Sequence, residues 1–366
     1  MLKISVLLGG LFLIGCDEAD TAFSVSDGSV QSETNTSEDT STETMEEEES
    51  SALDALDGGS SGTATLIDAD IDDEVVPDAA IWNGITIHDS GNLLITTMQH
   101  KLLYLYHYTP KLEQIGSRVL LASDLPNSTI ADHAQALYNG VLYIALSDAD
   151  ADDLYLMAVS TDGDILHPIQ TVVSGSDSVT NDMHLLADED GVHLLWGPPG
   201  YDRLQQSFDT SLAPMSESQK LTSPVRSSQL GTTISFGMEY LVFSGDETNR
   251  QVMITRWGKD WSLQASPEIV VPGNTSWNWF PSGVAHHESS DTWFIAYTHM
   301  EEDESADEDA SIRLATLDGD MNLLDVFDVT DKDGYTRPHL ALSGDTLYLT
   351  YDGNEVYIKA FAIEHD

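Results

Sequence analysis

Val141-Leu142-Tyr143-Ile144, Val192-His193-Leu194-Leu195-Trp196, Tyr240-Leu241-Val242-Phe243 and Trp293-Phe294-Ile295-Ala296-Tyr297 are short apolar runs that recur about fifty residues apart. Leu93-Leu94-Ile95 before them and Leu347-Tyr348-Leu349 after them extend the series to six. Runs this short and this apolar read as strands buried on both faces. Ahead of each lies a first run, starting near Ile85, Gln135, His184, Thr233, Val284 and His339, with spacings of about 49 to 55 residues. Behind each lies a third, including Leu103-Tyr104-Leu105-Tyr106, Leu154-Tyr155-Leu156-Met157 and Ile312-Arg313-Leu314-Ala315, which alternates as a more lightly covered strand would. Turns such as Asp162-Gly163-Asp164 and Asp318-Gly319-Asp320 then lead into a fourth.

Four strands per unit at this period resembles the blade of a β-propeller, and six units predict an all-β, six-bladed ring. A two-domain β-sandwich is the rival architecture, but it does not require a period near fifty. The blades are expected at about 79–127, 128–175, 176–224, 225–272, 273–331 and 332–366. The last unit ends at Asp366 after its third strand, and the stretch Thr63 to Ile71, followed by Pro77-Asp78, is the candidate for its fourth. Residues 63–78 are therefore expected to close the ring and to cover an open sheet edge.

The chain begins with a short charged start, an apolar stretch from Ile4 to Ile14, and Leu13-Ile14-Gly15-Cys16. The stretch is too short to span a bilayer and reads as a secretory signal over residues 1–15. Its ending resembles the lipobox of bacterial lipoproteins. That resemblance implies a thiol at Cys16 carrying acyl chains, cleavage before it, and a palmitate-type membrane anchor outside the cytoplasm. Cys16 is the only cysteine, so a lipidated chain has no thiol left for a disulfide. Asp17 resembles the inner-membrane retention signal of enteric bacteria, whereas the long spacer that follows favours the outer membrane or cell surface.

From Asp17 to about Gly62 the sequence is dominated by Ser, Thr, Asp, Glu and Gly, with neither Lys nor Arg. Such a segment buries too little apolar surface to offset its ordering entropy, so residues 16–62 are expected to be a disordered acidic linker. With 63 acidic against 14 basic residues the formal charge is −49, which argues against nucleic acid and against anionic membrane surfaces as partners. The membrane partner is then the acyl anchor alone, with a protein or glycan as a further partner of the folded part.

The innermost strands of a propeller line its axis, so the residues at the start of each first strand converge on one mouth. Here these are Trp82, Asp132 with His133, Asp182, Arg226, Trp279 and Arg337, the candidate ligand-binding set. Trp277-Asn278-Trp279-Phe280 reads as an aromatic loop ahead of Pro281, able to stack on sugar rings or to fill a blade interface. Asp148, Asp150 and Asp152 in one acidic loop offer oxygen ligands for calcium, although the loop lacks the glycine and distal glutamate of an EF-hand. Glu301 through Asp309 reads as a flexible insertion. His286-His287 cannot chelate together, because adjacent strand residues face opposite ways.

Catalytic signatures are missing: there is no Gly-x-Ser-x-Gly, phosphate loop, His-Glu-x-x-His or Cys-rich zinc pattern. Ser160-Thr161-Asp162-Gly163 falls where sialidase-like propellers carry an Asp-box, without that motif's glycine spacing and aromatic. The reading is thus a lipid-anchored binding or interaction module of the cell envelope, with no catalytic residue assigned and no cofactor beyond calcium. A glycoside hydrolase or lyase using mouth carboxylates, and a structural envelope lipoprotein, are the alternatives.

Overall fold

In a computed structural model, residues 64–365 are described apart from 70, 72, 78–80, 100, 124, 126–129, 149–151, 176–182, 198–199, 247–248, 274–276, 302–309, 332–333 and 335. The expected signal, Cys16, the acidic linker, Asp150, Asp182 and most of the Glu301–Asp309 stretch lie outside the described residues. All regular structure described is strand, and it forms a six-bladed propeller.

Two short strands come first, β1 (Ala64–Asp68) and β2 (Glu74–Val76). Blade one is β3 (Ile81–Ile87), β4 (Leu93–Gln99), β5 (Leu102–Tyr108) and β6 (Val119–Ala122). Blade two is β7 (Ile130–Tyr138), β8 (Val141–Asp148), β9 (Asp153–Ser160) and β10 (Ile165–Val173). Blade three holds β11 (Met183–Asp188), β12 (Gly191–Trp196), β13 (Gly200–Phe208) and the first part of β14 (Gln219–Phe236). The second part of β14 opens blade four, which continues with β15 (Glu239–Asp246), β16 (Gln251–Gly258) and β17 (Glu268–Val271). Blade five is β18 (Trp277–His287), β19 (Thr292–Met300), β20 (Ser311–Leu317) and β21 (Leu323–Asp328). Blade six has β22 (Thr336–Ser343), β23 (Thr346–Asp352) and β24 (Val356–His365).

Each blade is an antiparallel meander, and its second strand is buried along nearly its whole length in every unit. The third strands β5, β9 and β20 are buried as thoroughly, not more lightly as their alternation implied. The reason is that both faces of a blade meet a neighbour. Six apolar clusters result, one for each blade-to-blade interface. Among the described residues, the cluster between blades three and four is the smallest, holding Leu195, Leu221, Tyr240, Val242, Trp257 and Trp261.

The missing fourth strand of blade six is supplied from the other end of the chain. β1 pairs with β24 from Ala64↔His365 to Asp68↔Phe361, and β2 resumes the same edge from Glu74↔Ile358 to Val76↔Val356. Ala64 and Val76 are buried in this seam, and the Pro77 carbonyl accepts a hydrogen bond from Tyr106 Oη of blade one at 2.8 Å.

A turn that the sequence showed only in part recurs between the third and fourth strands of the first five blades. The amides of Thr109, Ser160, Asp209, Gly258 and Asp318 donate to the carbonyls of Glu113, Asp164, Ala213, Ser262 and Asn322 at 2.8 to 3.0 Å. The fourth residue of each turn has positive φ, and in four turns it is Leu112, Leu212, Trp261 or Met321 rather than glycine. A left-handed L-residue costs about 1–2 kcal/mol. Each of the four side chains is buried against a blade, and burial of that size offsets the cost.

Deleting residues 1–62 is expected to leave the melting temperature of the propeller unchanged. Deleting 1–68 removes β1, bares one edge of β24 and uncovers Phe361 and Ile363, at a cost of about 2–4 kcal/mol by the area rule. Chemical denaturation of the two truncations checks this, and equal stability would contradict closure by β1.

Candidate functional site

The six inner strands β3, β7, β11, β14, β18 and β22 touch in sequence around the axis, and the last touches the first. They enclose a cavity of about 250 Å³ lined from every blade. Its polar wall comprises Thr86, Asp132, His133, Gln135, His184, Thr232, Thr233, Ser282, Arg337 and His339, and Ile85, Met183, Val284 and Leu340 add apolar patches. Close approach of the strands needs small residues. A Cβ on Gly231 would lie 2.3 Å from the Pro281 carbonyl oxygen, and one on Gly283 would lie 2.9 Å from the Leu340 amide nitrogen.

Side chains of the wall also join neighbouring blades. Asn83 Nδ2 donates to Asp352 Oδ1 at 2.5 Å and to the Arg337 carbonyl at 3.4 Å, linking blades one and six. Between blades one and two, Thr96 Oγ1 bonds His133 Nε2 at 2.6 Å and also Gln135 Oε1, while Gln135 Nε2 donates to Thr86 Oγ1 at 3.3 Å. Asp132 accepts from the His133 amide at 2.8 Å and, across to blade three, from the Met183 amide at 2.9 Å. His184 Nδ1 accepts from the Thr233 amide of blade four at 3.1 Å. Thr232 Oγ1 in turn donates to the Ser282 carbonyl of blade five at 2.5 Å.

These bonds fix the protonation of His184. An amide can only donate, so Nδ1 is bare and Nε2 carries the proton toward Thr232 Oγ1, 3.3 Å away. The electrostatics agree. Burial, with a smaller contribution from His339, lowers the pKa of both His133 and His184 to about 3. Burial and the Arg337 guanidinium lower that of His339 to about 4. At neutral pH the three imidazoles are uncharged, so their surroundings accept a lone pair in preference to a positive charge.

Of the residues expected at the mouth, Asp132, His133 and Arg337 come together on this cavity wall. Trp82, Arg226 and Trp279 sit on the inner strands β3, β14 and β18, but their side chains are outside the described set. Arg337 has φ 51° immediately before Pro338, a left-handed conformation costly for any non-glycine residue and held here through its carbonyl by Asn83. His184, His339 and Thr233 were not among the expected residues. Their signal was present, since they occupy the same place in their units as Gln135, whose side chain lines the axis.

Trp277-Asn278-Trp279-Phe280 is strand and not loop. Its residues pair with β19 from Trp277↔Met300 onward, because the run is aromatic-rich and Pro281 sits at a register shift where no ladder bond is lost. Trp257 and Trp261 are core residues, with Trp261 stacked on Tyr240 at 4.4 Å. His286 turns to Asp291 and Trp293, whereas His287 turns to Ser290 and Asp345, so the two face opposite sides. Asp148 is buried at the end of β8, and Asp152 occupies a turn at φ 53°. Among the described residues, no three His, Cys, Asp or Glu side chains are grouped so as to hold a metal ion.

No protein-family model matches the chain, and no curated protein matches it. Among solved structures it is similar to a member of the DUF4221 family from Bacteroides vulgatus, at 11% identity and TM-score 0.49, covering 84% of this chain and 100% of that one. It is similar to Trypanosoma rangeli sialidase at 12% identity and TM-score 0.49, covering 79% of this chain and 55% of the sialidase. A subtype N10 neuraminidase-like protein from a little yellow-shouldered bat isolate matches at 11% identity and TM-score 0.49, over 80% of this chain and 96% of that one. Similarity at this level carries no residue and no activity across.

Because the three imidazoles are neutral in the fold and have an ordinary value near 6.5, the unfolded chain binds more protons than the native one between pH 6.5 and about 4. Stability is therefore expected to fall as pH drops through that window, by up to about 1.4 kcal/mol per pH unit for each histidine. His184→Gln should flatten the profile of melting temperature against pH between 6.5 and 4.5, and an unchanged slope would contradict the assignment.

Proposed function

We propose that this chain is a lipid-anchored, extracytoplasmic binding module whose ligand site is the axial cavity and its mouth. The observation that carries the binding reading is the state of Asp132, the carboxylate among the described residues of the cavity wall. Its two oxygens are each engaged by a backbone amide, one of them from the next blade. A carboxylate so held is a fastening of the ring and is poorly placed to act as one of the two free carboxyl groups that glycoside hydrolysis requires. The wall around it, with Arg337 and three neutral histidines among apolar patches, is suited to orienting a small ligand.

The anchoring half of the proposal rests on Leu13-Ile14-Gly15-Cys16 and the acidic stretch after it. Two or three acyl chains hold a protein on a bilayer stably where one does not, at about 0.8 kcal/mol per buried methylene. The outer membrane or cell surface is the favoured location, and a protein or glycan the favoured partner.

Mass spectrometry of the mature chain is expected to show an acylated Cys16 at the amino terminus, and Cys16→Ser is expected to move the protein out of the membrane fraction. Retention of residues 1–15 or an unmodified thiol would refute the anchor. A glycan array and a panel of polysaccharides separate the remaining readings. Binding without turnover, weakened by Arg337→Ala, supports a module; turnover abolished by Asp182→Asn with the fold intact supports the hydrolase or lyase; neither supports the structural role.

A further inference from the structure

Two buried polar groups of the cavity wall have no partner of hydrogen-bond geometry, His133 Nδ1 and Thr233 Oγ1, although the Asn83 backbone also acts on the His133 ring. Their residues are only 3% and 4% exposed. The hydrogen-bond chain behind His133 determines what its Nδ1 can accept. Gln135 Nε2 donates to the Leu94 carbonyl at 3.3 Å, which orients the amide and turns Oε1 toward Thr96. An amide oxygen only accepts, so Thr96 Oγ1 spends its single proton on Gln135 and must accept from His133 Nε2. His133 therefore carries its proton on Nε2 and presents Nδ1 as a bare lone pair. Thr233 presents a hydroxyl that can donate or accept.

An unmet buried polar group is costly, so both groups call for an occupant of the cavity. A carboxylate or phosphate ester oxygen has no hydrogen to give His133 Nδ1. A cation is disfavoured by the Arg337 guanidinium on the same wall. A hydrocarbon would leave both groups unmet. A hydroxyl both donates and accepts, and the cavity of about 250 Å³ has room for one small ring, with Ile85 and Val284 offering apolar contact to its C–H face. We infer that the axial cavity binds an uncharged, hydroxyl-bearing ring, a monosaccharide or cyclitol unit, with hydroxyls directed to His133 Nδ1 and Thr233 Oγ1. This rests on the proposed function above and names the ligand class of that site.

The test uses the mature lipidated chain in a detergent without a sugar headgroup. Calorimetric titration with glucose, galactose, mannose and myo-inositol is run beside acetate as the anionic probe. At least one neutral probe is expected to bind saturably, and Thr233→Val to weaken it about tenfold, the equivalent of one net hydrogen bond. The same variant is expected to melt at an equal or higher temperature, since it removes an unmet hydroxyl, so a loss of binding cannot be ascribed to misfolding. Nitrogen-15 NMR should show His133 protonated at Nε2, with the Nδ1 resonance moving on addition of the probe that binds. Acetate binding alone, sensitive to Thr233→Val, would overturn the ligand class and leave the site standing. No saturable binding of any probe would mean that water alone meets these groups, overturning the inference, while binding indifferent to Thr233→Val with an unmoved His133 signal would overturn the site as well. A proton found on His133 Nδ1 would overturn the donor requirement itself.

Discussion

The edge of β24 is where the ring would otherwise open. Five blades complete themselves from consecutive sequence, but the sixth has only three strands of its own and depends on β1 and β2 to cover its outer edge. With no disulfide available beyond a single cysteine, closure rests on main-chain pairing and on Ala64 and Val76 in the seam. Everything nearer the axis presupposes it. The inner strands can converge on a cavity of fixed size only if all six blades keep their neighbours, and an unpaired edge is also a template for association with another chain.

The axial wall serves the fold and the site with the same atoms. His133, His184, Asp132 and Thr232 each bridge two blades, and each also faces the cavity. Asp132, His184 and Thr232 are satisfied by the protein at both of their polar positions, whereas His133 is held at Nε2 and leaves Nδ1 to determine what can enter. Rigid placement of this kind reduces the cost of ordering on binding. It also explains why polar residues line the axis, where apolar ones would give a simpler core.

Much of the fold was legible because the signal is periodic. The second-strand runs recur at one spacing and are apolar throughout, so the number of blades and the strand missing from the last could both be counted. The depth of burial of the third strands was not legible, since alternation along β5 or β9 reports residue type and not the second neighbouring blade that covers it. Trp277 to Phe280 misled for a related reason: Pro281 reads as a breaker, yet at a register shift its missing amide costs nothing. That Asp132, His133 and Arg337 line the axis could be read from their position at the start of inner strands. His184, His339 and Thr233 were visible only as repeat markers, because a neutral histidine held by a backbone amide from the next blade, as His184 is, depends on contacts between units that a single unit's pattern does not contain.

Blades three and four stand apart from the others. Their apolar cluster is the smallest among the described residues, and polar contacts lie beside it: Lys259 Nζ lies 2.8 Å from Asp188 Oδ2 and 2.6 Å from Ser235 Oγ, and His193 bonds Ser207 at 2.8 Å. Between these blades the chain also crosses from rim to axis within β14, an uninterrupted strand of 18 residues. Gln219 at its outer end pairs with β13, and Thr233 near its inner end faces the cavity. Rim and axis here share one strand, whose pairing shifts register on the way between Thr222 and Thr233, whereas between other adjacent blades a loop intervenes. A single strand thus connects the outside of the propeller to its centre.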